Sequence, residues 1–131
     1  MKRTASIALA IASLVGGLSI NTPNADALSG RCLKYEPTLA RLAPKGGWDV
    51  KRMSRYMYRE SRCTPHVRSR TSDSGLLQIN DVNLPYLSQK LGIRVTPWLL
   101  MNPAYNVWAA AELCMYARRA WGNCYQPWAT H

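Results

Sequence analysis

Four cysteines, Cys32, Cys63, Cys114 and Cys124, fall within the 104 positions from 28 to 131 and constrain the fold most. A chain of that size builds a limited core, and two disulfides are the natural supplement for it outside the cytoplasm. Three pairings are possible, and a turn that folds the chain back favours Cys114 with Cys124. Zinc is the competing use of four cysteines. It is disfavoured because no Cys-x-x-Cys pair occurs and the only histidines are His66 and His131. No metal ligand set is expected, and no organic cofactor is implied.

The first residues fit this oxidising setting. Lys2 and Arg3 precede an uncharged run from Ala5 to Ile20, and Ala25-Asp26-Ala27 supplies the small residues of a cleavage site. Residues 1–27 read as a signal peptide and residues 28–131 as one exported domain. Nothing else in the sequence is long and apolar enough to span a bilayer, so stable membrane insertion is not expected. Without its leader the chain carries 15 basic and 6 acidic residues, a net charge of +9. That field favours polyanions. Beyond a membrane these are wall polymers, acidic glycans and anionic lipid surfaces, so an anionic cell-wall surface is the expected partner. Nucleic acid is not, since no ordered platform of aromatic and basic residues is present to bind it.

The periodicity predicts mostly helix. A short helix begins near Glu36 and Pro37 and is expected to stop at Pro44, before a turn at Gly46-Gly47. Val50, Met53 and Met57 then recur on one face of a second helix, which Cys63-Thr64-Pro65 closes. Within 67–80 a small hairpin is predicted, with Leu76 to Ile79 as a strand. Leu84 to Leu91 reads as a helix ending at Gly92. Pro97 and Pro103 forbid a long element between them, and Trp98, Leu99, Leu100 and Met101 there need a core to enter. The longest helix is expected over Asn106 to Trp121, stopped by Gly122.

Glu60 lies three residues after Met57, on the apolar side of the second helix at its last turn. A carboxyl placed there loses water, which disfavours its charged form. The plainer reading is a salt bridge with Arg59 or Arg62. A carboxyl that holds its proton is, however, what general acid catalysis needs. Asp73 stands among Thr71, Ser72 and Ser74, in polar company where it stays ionised. Two carboxyl groups in contrasting settings match the division of labour in glycoside cleavage.

The stretch "ESRCTP" followed by "GLLQIN" resembles the lysozyme-like superfamily, in particular the soluble lytic transglycosylases. "SDSGLLQIN" also resembles the hairpin strand of animal lysozymes, whose second carboxylate occupies the position of Asp73. "NPAYNVWAAAELCMY" is similar to the opening of a later transglycosylase helix, so the likeness spans about residues 48–121. It implies an α+β, mainly helical, lysozyme-like fold with a short β-hairpin beside the catalytic cleft. The implied substrate is peptidoglycan, cut at the β-1,4 bond between N-acetylmuramic acid and N-acetylglucosamine.

By that resemblance Glu60 is the acid, with Ser61 beside it. Gln78 and Asn80 line or support the cleft, and Asn106 sets the later helix. Gly75 permits close approach of backbone or sugar at the cleft floor. The family's tyrosine-asparagine-alanine-glycine segment is missing. Trp121 and Trp128 are the substitutes expected to stack on a sugar or to wall Glu60 from water, while Trp48, Trp98 and Trp108 are assigned to the core. With Asp73 as second carboxylate, hydrolysis by a secreted or wall-associated muramidase is the first expectation. The alternatives are a lytic transglycosylase that leaves 1,6-anhydromuramic acid ends, and a cationic wall-binding protein without catalysis.

Overall fold

A computed structural model describes residues 28–129. The expected signal peptide, Thr130 and His131 lie outside the described residues. After a π-type turn (Leu28–Cys32) and a single 3-10 turn (Leu33–Tyr35), four helices follow: α1 (Glu36–Gly46), α2 (Val50–Ser61), α3 (Leu84–Leu91) and α4 (Pro103–Trp121). Strands β1 (Asp73–Ser74) and β2 (Ile79–Asn80) pair antiparallel, with Asp73 opposite Asn80 and Ser74 opposite Ile79. This is the expected mainly helical α+β architecture.

Helix α4 is the central element. Its buried residues run from Asn106 through Val107, three consecutive alanines, Leu113 and Cys114 to Ala117. Alanines favour helix and are small enough for neighbours to approach from several sides. Helix α1 packs most extensively against it. Lys45 and the buried Glu112 join the two helices at 3.0 Å. Helix α2 starts at Asp49, whose carboxylate accepts from Arg52 N–H at 2.8 Å, the pattern of an N-cap. Its apolar stripe buries Met53 and Met57 fully. Among the described residues no helix is long and apolar enough to cross a membrane.

Three local expectations need correction. Pro44 does not stop α1, which continues to Gly46. A proline in the last turn removes one intrahelical bond, and the left-handed Gly47 (φ +80°) closes the end by donating to the Ala43 carbonyl. Leu76–Ile79 is not a strand: residues 75–78 form the turn between β1 and β2, with Gly75 at φ +81° and Gln78 at φ +48°. Leu76 and Leu77 are both fully buried, where a strand would alternate its faces. Trp98 is no core residue, since it is 80% exposed while Leu100 and Met101 are buried. The single 3-10 turn Leu99–Met101 rotates those two inward and leaves the indole outside.

The cysteines pair as Cys32–Cys63 and Cys114–Cys124. The second closes the turn after α4, as favoured above. The first spans 31 positions, ties the start of the domain to the end of α2, and is the longer loop withdrawn from the unfolded ensemble. Intact mass of the purified protein is expected to be four hydrogens below the reduced form, with no thiol open to alkylation. Any free thiol in folded protein contradicts the pairing.

Candidate active site

Helix α2 delivers Glu60 and Ser61 to its C-terminal end, where Arg62 and Cys63 both adopt φ +56° and turn the chain away. The Arg62 N–H closes the helix on the Tyr58 carbonyl at 2.8 Å. Ser61 is buried, and its hydroxyl lies 2.7 Å from the Leu76 carbonyl and 3.2 Å from that of Met57. The end of the helix is thus fastened to the β1–β2 turn. This places the hydroxyl of Ser61 in a backbone contact rather than on an open surface.

The Glu60 side chain retains 8% of its exposure, and Arg59 reaches it at 3.1 Å. The ion pair of the plainer reading therefore exists. The same Arg59 guanidinium donates to the backbone carbonyl of Trp128. Trp128 is 2% exposed, and its indole N–H donates to the Leu77 carbonyl at 2.8 Å. One wall of the Glu60 site is therefore a closed relay from Arg59 through Trp128 to the turn. Trp128 is buried in this relay and offers no open face for stacking on a sugar.

Asn106 organises the turn from the other side. It is fully buried, accepts from Leu77 N–H at 2.9 Å, and donates to the carbonyls of Ser74 at 3.0 Å and Leu100 at 2.9 Å. Three bonds of this kind satisfy most of a buried amide's capacity. Gly75 has to be glycine here. A Cβ at that position would stand 2.2 Å from both the Asn106 amide nitrogen and the Leu100 carbonyl oxygen. The close approach expected at Gly75 is thus made by Asn106 and backbone.

Asp73 sits at the base of the hairpin with both carboxylate oxygens occupied. Ser69 and Thr71 hydroxyls lie 2.7 and 2.5 Å from Oδ2, and the Asn80 amide donates to Oδ1 at 2.9 Å. Asn80 also donates to the Thr71 carbonyl and accepts from Val82 N–H, while Gln78 Nε2 donates to the Val67 and Gly75 carbonyls. All three polar side chains hold the hairpin in shape. Nearby, Arg68 donates to both oxygens of Asp81, at 3.0 and 2.7 Å, and these bonds hold that carboxyl below its ordinary range.

Trp121 is brought elsewhere. It lies fifteen residues along α4 from Asn106, a rise of about 22 Å. It is 60% exposed and meets Tyr116 edge-on, and both line a pocket of about 320 Å³ with Asn83, Tyr86 and Leu113. The sequence assigns Arg59 only an ion pair with Glu60 and no part in the wall of the site. Its position next to Glu60 was the available signal, but nothing local reveals that it also reaches Trp128, 69 positions away.

A helix that ends on a shielded carboxyl, a two-stranded hairpin fastened to it and an asparagine-locked later helix define a lysozyme-like arrangement. The family model described as "Transglycosylase SLT domain" matches residues 45–129, and the chain belongs to that family of peptidoglycan glycosidic-bond-cleaving lytic enzymes. No curated protein matches the chain.

Proposed function

We propose that the protein is a lytic transglycosylase. It cleaves the bond between N-acetylmuramic acid and N-acetylglucosamine with Glu60 as its acid, and it works outside the cytoplasmic membrane on the wall. The other acidic residues of the domain have structural duties. Glu36 pairs with Lys51, Asp49 caps α2, Asp81 pairs with Arg68 and Glu112 with Lys45. Glu60 alone stands at the end of α2 that Ser61 fastens to the hairpin turn, and Arg59 links it to Trp128.

Glu60 protonates the bridging oxygen, the muramoyl C1–O bond breaks, and positive charge develops at C1. The muramoyl 6-hydroxyl then attacks C1 and returns its proton to the Glu60 carboxylate. A 1,6-anhydro ring forms and no water is consumed. The observation that carries this choice over hydrolysis is the state of Asp73. Both its oxygens are already engaged by Ser69, Thr71 and Asn80, so the carboxylate is tied to the hairpin, which favours completion by the internal hydroxyl.

Chromatography and mass spectrometry of digested peptidoglycan test the reading. The expected fragments are one water lighter than hydrolysis products and lack a reducing muramic end. Asp73→Asn is expected to retain its rate within about threefold, with any loss following lost stability. Reducing ends together with a rate collapse in a folded Asp73→Asn protein would restore the muramidase. Binding to wall without soluble fragments, across pH and salt, would leave a wall-binding module.

A further inference from the structure

The outer face of α2 carries a groove of about 480 Å³ lined by Arg52, Arg55, Tyr56, Tyr58, Arg59 and Arg62. The four arginines span about 15 Å of helix rise. Three of the four guanidinium groups rest on aromatic rings: Arg52 lies 3.9 Å above Tyr125, Arg59 4.7 Å above Tyr56 and Arg62 4.9 Å above Tyr58. Tyr56 and Tyr125 are themselves stacked at 5.5 Å, which makes a ladder of arginine, tyrosine, tyrosine and arginine. Among the described residues, Arg52, Arg55 and Arg62 form no ion pair. Gathering like charges on one face is unfavourable, and a bound anion reverses the sign of that term. Stacking also orders the planar forks beforehand, which reduces the rotamer entropy lost on gripping a carboxylate.

We propose that this groove binds the acidic peptide substituent of the glycan strand through its carboxylates, next to the bond that is cut. The inference rests on the function proposed above, because that function supplies the strand. Location favours a substituent of the substrate over an independent polymer, since Arg59 lines the groove and touches Glu60 as well. A ligand there shares Arg59 with the Glu60 carboxyl. Size agrees: a volume of about 480 Å³ lies in the usual range of small-ligand sites. Composition agrees too, with ring faces for aliphatic parts of a peptide between forks for its carboxylates.

The test measures affinity of the full, disulfide-bonded protein for a defined glycan fragment with its peptide and for the same fragment stripped of peptide. At low salt the peptide-bearing fragment is expected to bind about tenfold more tightly, with the advantage shrinking at high salt. Arg55→Gln and Arg62→Asn are expected to cut that advantage about threefold each and to leave binding of the stripped fragment unchanged. Arg55→Lys should recover part of it, because charge returns without the fork. Equal binding of both fragments by the wild type overturns the proposal, as does equal weakening of both by the variants. Tighter binding of a glycerol-phosphate polymer or an oligonucleotide than of the peptide-bearing fragment overturns it in favour of a phosphodiester track. Cleavage of the stripped strands reads the chemistry separately: its absence removes the transglycosylase reading, whereas the difference in affinity decides the groove.

Discussion

Glu60→Gln is expected to lower release of soluble glycan fragments from purified wall by a factor on the order of 100 or more, the usual cost of losing a general acid. Glutamine keeps the length, the planar end group and an oxygen that can accept from Arg59. What it lacks is a proton that can be transferred. Because the side chain is 8% exposed, an isosteric replacement leaves no cavity for water to fill. Circular dichroism and the melting transition should therefore stay close to wild type. Turnover within a few-fold of wild type in that variant would return Glu60 to the role of a helix-end ion pair. The loss is expected to be large also because the Glu60 carboxylate takes the proton of the attacking 6-hydroxyl, so the variant lacks both the acid and the base of the proposed reaction.

Much of this site could be read from the residues because its parts are local. Gly92 and Gly122 end α3 and α4 in left-handed conformations, at φ +70° and +71°, where glycine has no Cβ to clash. Met53, Met57 and Glu60 share a helical face, so the odd carboxyl among apolar positions was visible without coordinates. The failures come from tertiary competition. Leu76 and Leu77 looked like a strand by composition, yet both are drawn inward while the backbone bonds they leave are taken by Asn106, Ser61 and Trp128. Nothing in "WLLM" says which of four apolar side chains will be left outside when only a single 3-10 turn is available to bury them. The type and position of Asp73 suggest a second catalytic carboxylate, whereas the bonds from Ser69, Thr71 and Asn80 to its two oxygens are not legible in the sequence.

Gly75→Ala is expected to be among the most damaging single substitutions for stability, although it adds one methyl group. Two costs combine. The backbone sits at φ +81°, where a residue with a Cβ is disfavoured by about 1 to 2 kcal/mol. The new Cβ also falls 2.2 Å from the Asn106 amide nitrogen and from the Leu100 carbonyl oxygen, and backbone oxygen cannot swing aside as a flexible side chain does. If the turn shifts to relieve the overlap, bonds of the buried Asn106 amide to Leu77, Ser74 and Leu100 weaken, and stranding one buried polar group costs about 1 to 3 kcal/mol. A total of about 2 to 5 kcal/mol corresponds to a melting temperature lower by roughly 8 °C or more in a domain of this size. Thermal and urea unfolding followed by circular dichroism measure it. The assignment to Asn106 has its own check in a double-mutant cycle: in an Asn106→Ala background part of the overlap is gone, so Gly75→Ala should cost less than it does alone. Additive losses would show that the two positions act independently. Activity should fall with stability, because the Gly75 turn carries the Leu76 carbonyl that Ser61 grips, and Ser61 fixes the helix end on which Glu60 stands. A Gly75→Ala protein that melts like wild type would mean that the turn adapts freely, and the locked geometry drawn around Glu60 would have to be abandoned.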